Sequence, residues 1–377
     1  MSEQYYLSLG TGKNQVPLIQ AAIKLGLKVI GVDQNPESPG MSLCHFKIQE
    51  SIFNYRKIFY KLNSLLIDGE IVAGYSASFG KALLSWSYLS EKLRLTGISR
   101  PLMERLMDKY EMRNMLSKLS GKAYCFHQPK YMAGKPVIFK KHIEQFKAPF
   151  IIKPRTGSGK KEVMEIRETS QLIAFFRKKK LPGKKINAAS WIIEEKISGD
   201  EVTVTGFVQN FRYIHLCMSD KITSEHAPFI ELEHRYPSKH HSLFSQMISL
   251  HQEIVEVLQI TDTPLVSEWK IVENEMYLIE ISLQIPGEYL ASFLIPGALY
   301  YDYFKNLANL TLGRSIDKSP MNSRSKPAVI KYFSEKLSKS EMADIQKNSD
   351  LFEILNENPK NPPESNQDRF AVAGYIG

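Results

Sequence analysis

Hydrophobic and polar positions fall into two periods along this chain. The first half mixes short apolar runs with helical stretches. Tyr5 to Leu9 is a short apolar run that predicts a strand, and it leads into Gly10-Thr11-Gly12. Pro17 to Leu25 has a helical pattern that Gly26 breaks, and Leu27 to Val32 predicts a second strand ending at Asp33. Strand, glycine turn, helix and strand make a βαβ unit, whose two strands must run parallel. Ile71 to Tyr75 predicts a further strand of that sheet and Lys81 to Leu93 a helix. In RLMDKYEMRNMLSKL, the residues Leu106, Met107, Tyr110, Met112 and Leu116 form one helical apolar face. Residues 137–146 are mixed. Ile151-Ile152 then enters the loop Thr156-Gly157-Ser158-Gly159, and Glu162 to Ile166 returns, which predicts a glycine-tipped hairpin. Thr169 to Lys180 reads as an amphipathic helix.

The second half is richer in strand patterns. Trp191-Ile192-Ile193 is apolar and β-branched, and Glu201 to Val208 alternates cleanly. Leu243 to Leu258 predicts a helix, and Pro264 to Ile271 and Met276 to Leu283 predict two strands joined at Glu273-Asn274. Leu290 to Leu310 is apolar, residues 314–326 read as a surface loop, and Val329 to Phe333 as a strand. Asn356 to Gln367 reads as a loop, and AVAGYIG as a closing strand. No internal repeat is visible.

Composition narrows the function classes. The 377 residues are 43% hydrophobic and 24% charged, which is ordinary for a folded protein and long enough for two or three domains. Lys and Arg number 49 against 40 Asp and Glu, a surplus that favours anionic partners such as nucleotides. The basic cluster from Arg177 to Lys180 with Lys184-Lys185 reads as a solvated helix end, and no nucleic-acid motif accompanies it. Cys44, Cys125 and Cys217 are far apart and match no zinc or disulfide pattern, so reduced thiols are expected. The opening MSEQYYLSLG lacks a secretory pattern, and no apolar run approaches the ~18 residues of a membrane span. The expectation is a cytoplasmic protein without a membrane partner.

Candidate chemistry clusters in a few places. Lys153 followed by glycines suits phosphate handling, because backbone N–H groups without a Cβ approach an anion closely, although a plain turn between strands reads equally. The spacing is not that of a Walker A loop, and GTGKN does not match the dinucleotide fingerprint GxGxxG. Lys109 is either a solvated helix residue or a phosphate ligand. Glu268 and Glu280 lie in two adjacent predicted strands, and paired carboxylates in an apolar sheet need a cation or a lysine. Mg²⁺ suits such oxygen ligands, with substrate phosphates completing its shell. His226, His234, His240 and His241 fit no zinc spacing and are read as loop histidines. Arg235 could pair a carboxylate in two-pronged fashion or stand as a surface charge.

Taken together, these pieces resemble the ATP-grasp superfamily of carboxylate–amine ligases, over roughly residues 5–313. Five stretches occur in the family's order: LGTGKNQVPLIQAAIKLGLKVIGVDQNPESPG, MDKYEMRNML, IIKPRTGSGK, WIIEEKISGDEVTV and VSEWKIVENEMYLIEIS. The resemblance implies a fold of α/β and α+β parts: a Rossmann-like pre-ATP-grasp domain followed by a two-lobed ATP-grasp fold. Residues 1–100 would be the first domain, 101–190 the small lobe with its glycine lid, 191–313 the large lobe with the metal site, and 314–377 a C-terminal extension. It implies ATP with Mg²⁺, or Mn²⁺ in its place. Lys109 and Lys153 would contact phosphates under a lid of Thr156, Gly157, Ser158 and Gly159. Glu194, Glu195, Lys196 and Ile197 would line the adenine, and Glu201 would hold the ribose. Glu268, Glu280 and Ser282 would ligate the metal. The implied activity joins a small carboxylate, such as an amino acid, to an amine through an acyl phosphate. The Pro286-Gly287-Glu288 segment and the loop around Arg235-Tyr236 would help shape the acceptor pocket. The resemblance leaves the oligomeric state open, a homodimer included.

Two positions depart from the family pattern Glu-x-Asn-x-Arg. Ser282 stands where asparagine ligates metal, and Gln284 stands where arginine meets the transferred phosphate. Losing such a charge can lower a rate by ~10²-fold or more. Arg155 and Lys160, on the lid, are candidate replacements. The alternative is a nucleotide-binding module that has lost catalysis.

Overall fold

The computed structural model describes residues 2–117, 119, 126–134, 149–157, 159–168, 170–172, 174–175, 190–318 and 325–377. Ser158, Cys125, the mixed stretch 137–146, the basic cluster 177–185 and most of the predicted helix 169–180 lie outside the described residues.

The N-terminal strands β1 (Glu3–Leu9), β2 (Lys28–Asp33), β3 (Phe46–Gln49) and β4 (Gly69–Tyr75) form a parallel sheet of order β3-β2-β1-β4. Its connections carry helices α1 (Val16–Lys24) and α2 (Tyr55–Asn63), and α3 (Lys81–Leu93) follows β4. Residues Tyr5 to Leu9 are all buried, as expected where both faces of a parallel sheet are covered. The acidic end of β2 is already occupied. Asp33 accepts from the Thr11 amide at 3.0 Å and from Ser38 Oγ at 3.3 Å, which pins the glycine turn. This carboxylate supports the loop's own backbone rather than standing open to a ribose.

The predicted single apolar helix around Lys109 is two helices, α4 (Arg100–Met107) and α5 (Lys109–Leu116). Asp108 between them is extended and caps α5, accepting from the amides of Tyr110 at 3.0 Å and Glu111 at 3.3 Å. Periodicity alone missed this break, because the apolar stripe continues across it.

After β5 (Phe126–His127), a small antiparallel sheet is built from β6 (Tyr131–Ala133), β7 (Phe150–Pro154), β8 (Met164–Ile166) and β9 (Trp191–Glu195), in the order β6-β9-β7-β8. β7 and β8 are the expected hairpin around the glycine loop. This sheet has its own core, in which Phe150, Ile152 and Ile166 pack with Phe175 and Trp191.

The remaining strands form one nine-stranded sheet. They are β10 (Asp200–Gln209), β11 (Arg212–Thr223), β12 (Glu231–Tyr236), β13 (Thr263–Val272), β14 (Glu275–Ser282), β15 (Ala328–Phe333), β16 (Leu351–Ile354) and β17 (Ala371–Ile376), with β5 at one edge. Helix α6 (Phe244–Leu258) packs on β11. The apolar stretch after β14 is a π-helical turn (Leu290–Leu294), then α7 (Ile295–Leu299) and α8 (Tyr303–Thr311). Helix α8 packs against α1, where Tyr6 and Thr311 share a hydrogen bond of 3.1 Å. Helix α9 (Lys339–Asn348) precedes β16. The last strands are interior members of this sheet: β15 pairs with β12, and β17 lies between β15 and β16. β9 and β10 belong to different sheets, so the chain between them is a link between lobes and not a hairpin. No helix among the described residues is long and apolar enough to cross a membrane.

Candidate functional site

A cavity of about 1430 Å³ lies where the small sheet, the nine-stranded sheet and the N-terminal domain meet. It exceeds the ~300–1,000 Å³ usual for small-molecule pockets, leaving room for two ligands side by side. Its walls divide by charge.

One wall comes from the small sheet. Lys153 pairs with Ile192 near the end of β7, is 8% exposed, and its Nζ lies 2.6 Å from Glu194 Oε2. The other oxygen of Glu194 accepts from Arg113 Nε at 3.0 Å. Arg113 is fully buried and also donates to the carbonyls of Leu278, at 2.5 Å, and Ile279, at 2.7 Å. Helix α5 is thereby tied to β14. Burial alone would raise the Glu194 carboxyl, but the charges of Arg113 and Lys153 outweigh it and hold it down at about 2. Burial pushes the Lys153 amine down, with Glu194 opposing. The Glu194 side chain is therefore an internal counterion, and the residue also lines the cavity. The backbone beyond it, with Glu195, Lys196 and Ile197, lines the cavity. Glu195 Oε2 accepts from the Lys130 amide at 3.2 Å, and Lys196 pairs with Glu165 at 2.9 Å.

Lys109 reaches the same wall from the start of α5. It is 8% exposed, donates to the carbonyl of Gly157 at 3.0 Å, and lies 3.9 Å from Glu280. Its backbone amide donates to Arg155 O at 2.9 Å. The exposed-helix reading of Lys109 is thus overturned. Arg155 does not line the cavity. Its guanidinium forks onto Asp108, with Nε at 2.9 Å and Nη2 at 2.6 Å, and lies 5.0 Å from the centre of the Tyr110 ring. The charge expected from Arg155 is spent on clasping the start of α5. In the lid, Thr156, Gly157 and Gly159 line the cavity. Gly157 and Gly159 have φ of +131° and +73°, a backbone that a side chain would strain.

The opposite wall comes from the large sheet. Glu268 on β13 and Glu280 on β14 are direct cross-strand partners, as expected for a pair of carboxylates on adjacent strands. Both line the cavity, together with Ser282 and Gln284. The Glu280 side chain is 40% exposed where it opens into the cavity. Protein around it would raise its carboxyl, but Lys109, Lys153, Lys160 and Lys221 together lower it.

Sequence reasoning missed Lys221, which is 3% exposed on β11. Its Nζ lies 2.6 Å from Glu268, 2.9 Å from Glu231 and 3.0 Å from Glu201. Burial would lower this amine, yet the three carboxylates hold it well above its ordinary value. Glu201 also meets Lys270 at 3.0 Å and Lys160 at 3.8 Å. Burial would raise it, and these lysines hold it far below the usual carboxylate range. Glu201 is thus engaged by lysines where it lines the cavity, and Lys160 is drawn toward it. The missed signal was an alternation: Lys221 shares its strand face with Cys217 and Ser219, all buried.

The loop-histidine expectation is corrected at one position. His234 lies within β12, is 2% exposed and lines the cavity. The two prongs of the Arg235 alternative also resolve: its side chain is 54% exposed, pairs with Glu233 and does not line the cavity. Glu288 of the Pro286-Gly287-Glu288 segment does line it. Its carboxylate meets Arg369 Nη2 at 2.5 Å, and Arg369 stacks on Tyr332 at 3.8 Å. No local pattern pointed to Arg369, which reaches the cavity from the loop before β17.

Among the described residues, no group of three or more His, Cys, Asp or Glu is placed to hold a metal by itself. Glu268, Glu280 and Ser282 nonetheless fit a magnesium site that substrate oxygens complete. Lys221 engages Oε1 of Glu268 at 2.6 Å.

Residues 146–291 match the model of the ATP-grasp domain. A search among curated proteins finds no match. Several solved structures share the fold over the whole chain. An L-amino acid ligase from Bacillus licheniformis has a TM-score of 0.76 at 15% identity, covering 100% of this chain and 94% of its own. An N5-carboxyaminoimidazole synthetase from Staphylococcus aureus, complexed with ADP, has 0.75 at 17%, covering 100% and 93%. A phosphoribosylglycinamide synthetase from Anaerococcus prevotii has 0.71 at 16%, covering 99% and 94%. Residues 146–291 of this chain thus match the ATP-grasp domain, set in a fold that these solved structures share from end to end.

Proposed function

We propose that this chain is an ATP-dependent, ADP-forming ligase that joins a small carboxylate to an amine through an acyl phosphate. The observation that carries this reading is the facing of Glu268 and Glu280 across β13 and β14, in one cavity with Lys109, Lys153 and the glycine lid. In this reading Lys109 and Lys153 receive the nucleotide phosphates, and the backbone after Glu194 takes the adenine. Arg155 is a positioning residue: by holding Asp108 it fixes the turn that presents Lys109. The cation, Mg²⁺ or Mn²⁺, would sit on Glu268 and Glu280 with Ser282 beside them and neutralise phosphate oxygens.

The substrate carboxylate attacks the γ-phosphoryl group in line, ADP leaves, and the acyl phosphate forms. The amine then attacks the acyl carbon and phosphate departs. Such transfer needs positioning and charge neutralisation more than covalent help from the protein. Closure of the 156–161 lid would keep water from the acyl phosphate. One solved structure of this fold is named an L-amino acid ligase, and the acid is best sought among amino acids first.

A second reading, a nucleotide-binding module without turnover, draws on Ser282 and Gln284, since both departures line the cavity. Calorimetry of ATP with and without Mg²⁺, followed by ADP release across an acid and amine panel, separates the two. Magnesium-dependent binding with acid-dependent ADP release supports the ligase. Binding without turnover across the panel supports the module, and no binding at millimolar ATP sinks both.

A further inference from the structure

Three buried histidines of this chain invite comparison. His251 is fully hydrogen-bonded: its Nδ1 lies 2.6 Å from Met247 O and its Nε2 2.7 Å from Ser267 Oγ. His215 faces Tyr213 Oη at 3.5 Å and packs edge-on against Phe244. Both belong to the core. His234 differs. It is 2% exposed, yet neither ring nitrogen has a hydrogen-bond partner among the described residues. A buried polar group without a partner is expensive, so such groups call for an explanation. His234 is also a cavity-lining residue, which the two core histidines are not.

Its surroundings define what it could meet. Across the strands, His234 is the register partner of Lys221 on β11 and of Ile330 on β15. On its own strand, Glu231 Oε2 lies 3.8 Å from Nε2. From the C-terminal loop, Arg369 holds the Glu231 carbonyl at 3.1 Å. Lys221 links this group to Glu201 and to Glu268. The imidazole therefore stands beside Lys221, the lysine that pairs with Glu268, and 3.8 Å from the Glu231 carboxylate. The lysine beside it is already matched by three carboxylates.

Resting on the ligase reading above, we propose that His234 accepts the proton of the attacking amine. An aliphatic amine is an ammonium ion at neutral pH and carries no free electron pair. The ammonium proton passes to a ring nitrogen of His234. The freed electron pair then forms the C–N bond, the bond from the acyl carbon to the phosphate oxygen breaks, and inorganic phosphate leaves with that pair. The amide nitrogen sheds its second proton to the departing phosphate or to water. The proposal also assigns the amine class: a protonated aliphatic amine, which must give up a proton before it attacks, rather than an amide or a weakly basic aromatic amine.

Hydroxylamine tests this, because it is largely unprotonated at neutral pH and needs no base. Wild type and His234→Gln would be assayed with Mg²⁺, ATP and the twenty protein amino acids as acids. Either hydroxylamine or the same amino acids would serve as the amine. Hydroxamate formation by His234→Gln within about threefold of wild type, with amide formation lower by the ~10²–10⁴-fold typical of a lost general base, is the expected result. Equal loss of both products, or loss of neither, overturns the proposal. Wild type that forms neither product and releases no ADP with any acid sinks the ligase reading, and the proposal with it. His234→Asn and a thermal melt of each variant guard against a folding defect: a cooperative transition near that of wild type is required for the comparison. If only the glutamine variant fails to fold, the asparagine variant decides by the same criteria.

Discussion

Two buried lysines line the same cavity, and their surroundings are opposite. Lys153 meets one carboxylate, Glu194, which Arg113 already shares, so the cluster carries surplus positive charge. Lys221 meets three carboxylates, so its own contacts are net negative, although Glu201 is shared with Lys270 and Lys160. Burial depresses the first lysine, and its neighbours raise the second well above its ordinary value. Same residue type and similar burial thus give opposite results, because the count and sign of neighbours decide the balance. The difference suits one wall to an anion and the other to a cation.

The largest expected effect would come from Lys221→Met. It leaves three carboxylates, two of them deeply buried, without their shared cation. Breaking a buried pair in this way typically destabilises by ~3–5 kcal/mol. The pH dependence has a definite sign. In the wild type Glu201 and Glu231 are held low, so their contribution is present above the unfolded carboxylate range and lost as pH falls through their folded values. In the variant the Glu231 carboxyl, having lost its lysine partner, would titrate above its unfolded value, so the deficit should shrink as pH falls from 7 toward 5. Denaturant melts across that window measure it. Lys153→Met should be milder, at ~1.5 kcal/mol, because Glu194 keeps Arg113. Its loss should appear instead in nucleotide affinity and in a turnover lower by ~10²–10³-fold. Equal destabilisation by both variants would break the comparison.

Glu280→Gln sharpens the cation side. Glu280 faces Glu268 and has only a long contact to Lys109, so little stability depends on it. Magnesium dependence of nucleotide binding should weaken by at least the ~10–100-fold seen when a metal site loses a supporting partner. Calorimetry with ATP, with and without Mg²⁺, reads the effect. Binding that keeps its full magnesium dependence would remove Glu280 from the metal site.

Much of this arrangement was legible in the sequence because it is local. The hairpin of β7 and β8, the β13 and β14 pair and the parallel N-terminal strands each follow from period and turn residues within a short window. What stayed hidden depends on pairing over long distances. Lys221 is explained only once β11 lies between β10 and β12, which brings Glu201 and Glu231 onto it. Arg369 reaches the cavity only because β17 is interior to the large sheet. The buried pairing of Glu194 stayed hidden because nothing nearby in sequence announces Arg113, which comes from another element. The break at Asp108 could have been read, since an aspartate followed by a helical run is a cap signal. The continuous apolar stripe masked it.

The smallest effects come from two arginines that were both candidates for substrate charge. Arg155 clasps Asp108 and so supports the turn before Lys109, but the backbone bond from the Lys109 amide to Arg155 O does not need its side chain. Arg155→Gln should therefore lower turnover by about tenfold, the ~1.4 kcal/mol equivalent of a modest charged hydrogen bond, with nucleotide binding weakened in step. Arg235 is half exposed, pairs with its strand neighbour Glu233, and is not among the residues that line the cavity. Arg235→Ala should change stability by no more than ~0.5 kcal/mol and leave turnover and substrate affinity unchanged. If Arg235→Ala instead raised the KM for the acid while Arg155→Gln had no effect, recognition would extend to the outer rim of β12. The charge division between the two inner walls would then describe only the nucleotide end of the cavity.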